Sequence, residues 1–318
     1  DDSYSVRIPP WYDYRQEVKK VESFGNIILN EKSDKLFYSF SNLVDISGLS
    51  DWDVSNVSQM VSMFEGCSGI TNLGALSQWD TSNVVDMRCL FRKCKSLSDI
   101  SGLSSWDIKN VKYLGGGGLN SSNSMNIWGM FAECTSLVDI SPVLDWNTSN
   151  VINMSFMFYR CGIRDTNALG KWDVGNVTAV AAMFADCYNL ANIDALGNWN
   201  TSNFRSLGTR GSWDSERYGI FSGCSKITSL DSLRSWDVSN VTSMFSAFDG
   251  CSGITSLDPL RDWDVSNVEV VCRLFRGCSG VVSVDPLENW NIRKVRDLNE
   301  VFSGCRSLTS LDGIDNWD

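Results

Sequence analysis

Cysteine is the residue with the most chemistry to offer in this chain, and its spacing says how it is used. The chain has 318 residues, eleven cysteines and no histidine. Without an imidazole there is no His-based triad, no His metal site and no His acid–base pair. Nine cysteines, at 67, 94, 134, 161, 187, 224, 251, 278 and 305, each lie 11 or 12 residues before a tryptophan. A thiol that recurs once per unit reads as a small buried hydrophobe, not as a nucleophile. Disulfides between stacked units would suit in distance but not in direction, because stacked side chains point the same way. Cys89 and Cys272 lie outside this row, with Arg88, Arg92 and Lys93 near the first and Arg273 and Arg276 near the second. Positive neighbours lower a thiol pKa. Both nevertheless sit beside core positions, so packing or plain surface is the simpler reading.

Other chemistry is thinner still. Asp214 and Glu216 offer oxygens to a calcium ion, but no full oxygen-ligand loop surrounds them. The run Gly115–Gly118 lacks the Gly-Lys-Ser/Thr of a phosphate loop. No carboxylate pair stands out. The expectation is a protein that is not an enzyme, with no metal and no cofactor. The net charge of −11 and pI near 4.6 oppose nucleic acid as a partner. No apolar run approaches the roughly 18 residues of a membrane helix, so no membrane insertion is expected. The start at Asp1 and the stop at Trp317-Asp318 read as a piece trimmed from a longer chain.

The elements that must hold these residues are set by the tryptophans. Trp recurs at 52, 79, 106, 146, 172, 199, 236, 263, 290 and 317, mostly in steps of 27. A fixed step of this size marks a solenoid, whose units bury their apolar faces against their neighbours. We number the coils 1 to 9 from Trp52, Trp79 and so on, and count positions from each Trp as zero. Apolar residues fall at positions 2, 5, 8, 11, 12, 15, 18, 21 and 24; in coil 8 these are Val265, Val268, Val271, Leu274, Phe275, Cys278, Val281, Val284 and Leu287. A spacing of three is neither strand alternation nor a helical stripe. The expected fold is an α/β solenoid, a leucine-rich-repeat-like right-handed coil of about 27-residue repeats, roughly 45–50 Å long with coils about 4.8 Å apart. Short parallel strands are expected around Ile254–Leu257 and Asn240–Met244, and a short helix ended by glycine at segments like Met63–Cys67. Residues 1–36 read as an N-terminal cap and 37–318 as the repeat body.

Two rows should tie the coils together. Phe at 64, 91, 131, 158, 184, 221, 248, 275 and 302 stacks with the Trp row. Asn follows Trp by four at 56, 83, 110, 150, 176, 203, 240 and 267, and its amide should satisfy turn backbone groups. Lys294 takes its place in coil 9, which suggests a loosened turn. Asn56, Asn176 and Asn240 head Asn-x-Ser/Thr triplets, where a glycan would block those bonds.

The run Trp236-Asp237-Val238-Ser239-Asn240-Val241-Thr242-Ser243-Met244, with Phe-x-Gly-Cys-Ser-x-Ile-Thr-Ser-Leu from Phe248, resembles the BspA-type leucine-rich repeats of bacterial surface proteins. The likeness covers Phe37 to Asp318. The leader Pro10–Arg15, followed by Val18 and Val21, is similar to the segment that often precedes such repeats. The departures are two long units, a short fourth unit and no anchor. The resemblance implies an extracellular protein at the bacterial cell surface that acts by binding, with adhesion to a host-cell or matrix protein or glycan as the usual role. It supplies no catalytic residues.

Where binding would occur is suggested by the two long units. Coil 3 carries 13 extra residues, 115–127, and coil 6 carries ten, 208–217, both just after position 8. They leave at one corner, three coils apart, and insertions in solenoids map to one face. Arg210, Trp213, Asp214, Arg217 and Tyr218 in and beside the second, and Leu119 and Asn120 in the first, are the candidate ligand-binding residues. The other reading of the insertions is drift in a tolerant surface loop. A monomeric binding module is expected; the alternative is a structural stalk that presents other domains.

Overall fold

The structure is a computed structural model and describes residues 9–22, 25–119, 125–210 and 217–317. Its backbone explains the spacing of three. Most core residues donate their N–H to the carbonyl of the preceding core residue, three positions back. In coil 1 this links Val57 to Val54, Met63 to Met60, Cys67 to Phe64, Ile70 to Cys67 and Leu76 to Leu73, and Trp79 of the next coil to Leu76. Each coil is thus a chain of β-turns, and a turn every three residues returns a side chain to the interior each time. All nine template positions of coil 8 are buried.

Regular secondary structure is sparser than expected. The Met63–Cys67 segment is not a helix but a run of turns with left-handed residues at Ser62 (φ 58°) and Gly66 (φ 79°). The reason lies in where its donors go. The N–H groups of Met63, Glu65 and Cys67 close turns, while those of Ser62, Phe64 and Gly66 cross to Arg88, Leu90 and Arg92 of the next coil. An α-helix would keep all of them inside one segment. The helical turn lies elsewhere, as a 3-10 turn at positions 22–24 such as Gly74–Leu76 and Asp285–Leu287. No strand forms at Ile254–Leu257, and the one around Asn240–Met244 shrinks to Ser243–Met244. Successive coils do pair in parallel, through single bridges at position 7 that run from Gln59 through Asp86, Tyr113, Asn153 and Ala179 to Ser206, and on from Ser243 through Val270 to Asp297.

Four side-chain rows reinforce this ladder. The Phe row stacks without a break from Phe37 to Phe302, with centroids 5.3–6.0 Å apart. Trp rings stack beside it, as in Trp263–Trp290 at 6.5 Å, and each Trp from 79 onward donates its Nε1–H to the carbonyl three residues before the preceding Trp at 2.8–3.2 Å. The nine row cysteines donate S–H to the preceding coil's Phe carbonyl at 3.0–3.2 Å. Asn amides at 83, 110, 150, 176, 203, 240 and 267 reach a turn carbonyl of the preceding coil at 2.6–2.9 Å. At Lys294 the turn still closes, with Val295 N–H on Ile292 O at 2.8 Å, while the ammonium donates to the Asn267 side-chain oxygen at 2.6 Å and not to a turn carbonyl.

The ladder runs through the boundary expected at residue 36. Lys32 bridges Gln59, and Lys35 donates to Val61. Further back, Trp11 Nε1 donates to Leu36 O at 2.9 Å and Tyr12 stacks on Tyr38. The two insertions are β-hairpins. Strands β1 (Gly117–Leu119) and β2 (Met125–Ile127) form the first; β3 (Ser206–Arg210) and β4 (Arg217–Gly219) form the second. Strand β3 also pairs in parallel with β5 (Ser243–Met244) of coil 7.

Candidate functional site

The candidate site is the face that carries the inter-coil ladder, positions 7 to 14, because both hairpins rise from it. They interrupt it without breaking it. After the first hairpin Met130 N–H returns to Leu114 O, and after the second Ile220 N–H returns to Leu207 O. This is the same turn that joins Leu90 to Met87 in an uninterrupted coil. Each hairpin also ends on a glycine that its site requires. A Cβ on Gly129 would overlap the Phe156 carbonyl oxygen, and one on Gly219 that of Ser246. Gly115 and Gly208, at the outgoing strands, meet the same obstacle from Ser155 and Phe245.

Side chains then fix the direction in which each hairpin leans. At the first, the Arg88 guanidinium of coil 2 lies 4.7 Å from the Trp128 ring and 5.1 Å from that of Tyr113. It is held from behind by both Asp86 oxygens, Nε donating to Oδ1 and Nη2 to Oδ2. At the second, Tyr218 is buried, 5.0 Å from Phe156 and 6.4 Å from Tyr159 of coil 4. These rings form a second small core with Ala132, Ala182 and Ala185. Burial pushes the Tyr159 phenol up. In the other direction Arg210 passes over the Phe245 ring of coil 7 at 5.8 Å and pairs with Asp297 of coil 9 at 3.2 Å. The second hairpin is therefore fastened along the face from coil 4 to coil 9.

Of the residues expected to bind, Arg210 and Tyr218 are in these anchoring contacts. Leu119 and Arg217 lie in β1 and β4. Asn120, Trp213, Asp214 and Glu216 lie outside the described residues. Sequence reasoning missed Trp128, Tyr113, Arg88, Phe156, Tyr159 and Phe245. The signal was present: aromatic residues at positions 9, 10 and 13 fall off the core template, and alanines stand beside them.

Neither off-row cysteine is an activated nucleophile. Burial, with the Glu65 charge, pushes the Cys89 thiol up to about 12, and the nearby Arg92 and Arg88 do not reverse this. Burial, with Asp297, also raises Cys272 against the pull of Arg210 and Arg273. The arginines are engaged: Arg92 pairs with Glu65 at 3.0 Å and Glu133 at 3.4 Å, and Arg276 with Glu300 at 3.0 Å. Among the described residues no group of three or more Cys, Asp or Glu side chains could hold a metal ion, and no helix is long and apolar enough to cross a membrane. A shallow groove of about 360 Å³ lies between coils 3 and 4, lined by Val138, Asp139, Arg164 and Asp165 among others. None of its lining residues belongs to either hairpin.

This geometry can be set beside known proteins. No curated protein matches the chain. Among solved structures it is similar to a leucine-rich cell surface protein of Faecalibacterium prausnitzii (14% identity, covering 92% of this chain and 82% of that one, TM-score 0.39). It is also similar to a leucine-rich-repeat protein of Bacteroides ovatus (17%, 80% and 70%, 0.34) and to an internalin of Listeria monocytogenes (12%, 94% and 87%, 0.31). Superpositions this loose transfer nothing to the present chain. The family model described as "Mycoplasma protein of unknown function, DUF285" matches residues 31–116, 117–209 and 216–318, nearly the whole length. The chain therefore belongs to that family, whose repeats are of the BspA-like leucine-rich kind.

Proposed function

We propose that the chain is a recognition module of a bacterial cell-surface protein, without catalytic activity, that binds a protein or glycan of a host cell or its matrix. One observation carries this reading: two hairpins rise from one face, three coils apart, each with required glycines at its base and a side-chain brace. Leu119 and Asn120 of the first, and Arg210, Trp213, Asp214 and Arg217 of the second, contact the ligand, with Tyr218 as the post beneath. Aromatic and Arg side chains supply most of the energy at such surfaces. Residues before 37 close the N-terminal end of the stack. The surface location rests on the family resemblance.

The test is binding to a panel of host-matrix proteins and glycans, with the intact chain beside one lacking residues 115–127 and 208–217. Binding lost with the hairpins supports the proposal. Binding that survives their removal moves the site to the repeats, and no binding by either form favours a stalk.

A further inference from the structure

The groove between coils 3 and 4, about 360 Å³ in volume, is used by nothing described so far. It lies beside the short unit. Coil 4 loses its residue just before this corner, since Cys161 to Ile163 is two steps where Cys134 to Leu137 is three. Leu137 and Ile163 are both fully buried, so the core keeps its register and the residue is lost from the surface path. At the corner that follows, parallel bridges join Asn72 to Asp99 and Asp165 to Asn192, but among the described residues none joins Asp139 to Asp165. The groove lies between these last two. Its size is at the small end for ligand sites, which start at about 300 Å³.

Three charged side chains line it, Arg164, Asp139 and Asp165. Among the described residues none of the three is in an ion pair. Elsewhere on this surface opposite charges that meet do pair, as Arg160 with Asp186 at 3.0 Å and Arg261 with Asp258 at 2.9 Å. Here the backbone helps to hold the carboxylates in place. Asp139 Oδ1 accepts the Ser141 N–H at 2.8 Å, and Asp165 Oδ1 accepts that of Asn167 at 3.0 Å. Each carboxylate keeps its second oxygen for another donor. The apolar lining is Val138, Ile140 and Ala168, with no aromatic ring, and Val138 is 42% exposed. A groove that keeps opposite charges apart over an aliphatic lining complements a small molecule that carries both charges itself.

We infer that this groove binds a free aliphatic α-amino acid as its zwitterion. The carboxylate of the amino acid accepts from the Arg164 guanidinium, a planar donor suited to it. Its ammonium donates to the Asp139 and Asp165 carboxylates, and its side chain lies on Val138 and Ala168. The groove is a second site, and it does not depend on the role given to the hairpins. Salt screens exposed charges of this kind, so binding is weak and falls with ionic strength.

The probe is L-leucine, titrated into the whole chain at low salt while the amide NMR signals of residues 138–141 and 164–168 are followed. Leucinamide keeps the ammonium without the carboxylate, and N-acetyl-leucine keeps the carboxylate without the ammonium. The expected result is saturable shifts confined to these residues, with either analogue about tenfold or more weaker than leucine. Arg164→Gln should weaken leucine to the level of leucinamide and leave leucinamide as it was. Asp139→Asn with Asp165→Asn should likewise bring leucine down to N-acetyl-leucine. Asparagine already makes the same turn cap at Asn72 and Asn192, so these substitutions keep the fold. No shift with leucine, or equal binding of leucine and either analogue, overturns the inference. Leucine binding that survives Arg164→Gln unchanged overturns it as well. The hairpin reading stands or falls separately, on the matrix and glycan panel.

Discussion

Positions 12 and 13 of the coil are chain neighbours and obey opposite rules. Position 12 is phenylalanine in every coil from Phe64 to Phe302. Position 13 is Glu65, Arg92, Ala132, Tyr159, Ala185 and Ser222 in coils 1 to 6. The core side packs each ring on a copy of itself, so any change of shape in one coil is felt by two others. The ladder face has no such requirement. It is packed in local sets, large beside small, as Tyr159 and Phe156 lie against Ala132, Ala182 and Ala185. What repeats builds the stack, and what does not repeat is free to be fitted to something else.

The sharpest way to break this comparison is to cut the core row. Phe158→Ala removes a ring stacked on Phe131 and Phe184 at 5.8 and 6.0 Å, and should cost about 3–5 kcal/mol in denaturant unfolding. A near-neutral result would remove the stacked core from consideration. Next comes Gly219→Ala, where the new methyl meets the Ser246 carbonyl; it should cost about 1–3 kcal/mol. Gly74→Ala, whose Cβ would have its nearest neighbour at 3.6 Å, should be close to neutral. Equal effects would mean that the Gly219 site is no tighter than the open one at Gly74.

The row thiols give a pH test. Burial holds Cys305 at about 11 and Cys187 at about 12, against about 8.5 in an unfolded chain. A raised folded pKa favours the native state fully below the unfolded value, and that advantage is lost as pH rises toward the folded one. Stability should therefore fall above about pH 8.5, by about 1.4 kcal/mol per pH unit for each buried thiol. Cys278→Ala should flatten that slope by one thiol in urea titrations across this range. An unchanged slope would deny the thiol row its part. The Asn row predicts about 1 kcal/mol lost in Asn176→Ala, which gives up the bond to Ser149 O at 2.8 Å. Asn56, exposed and without such a bond, should lose almost nothing. Arg210→Ala, whose ion pair is mostly exposed, should cost less than about 1 kcal/mol but shift amide exchange in β3.

The core was legible in the sequence because it is written nine times over. The nine template residues of coil 8 from Val265 to Leu287 are all buried, with only Cys272 and Pro286 buried off the template, and the Asn row announced its role by its regularity. Helix and strand were misplaced because period three fits neither, and a chain of turns has no simple apolar signature. At Met63–Cys67 the deciding fact is the destination of alternate N–H groups, which depends on the neighbouring coil. The insertions were visible as lengths, yet their hairpin form was not, since Gly115–Ile127 has little strand character. Tyr218 was picked for its type and turned out to be a buried post; Trp128 and Arg88 were passed over because their partner lies in another coil.

The fastening of the second hairpin has a mechanical consequence. A stack in which every coil touches only the next can peel from either end, one layer at a time. Arg210 ties coil 6 to Asp297, 87 residues onward, while Tyr218 grips coil 4. A pull along the axis must undo that splice before coils 4 to 9 can separate singly. The ion pair is mostly exposed and resists little, so the stronger tie is the buried Tyr218 ring against coil 4. Coils 4 and 6 are thereby coupled across one intervening coil, which a stack of nearest-neighbour contacts alone would not do.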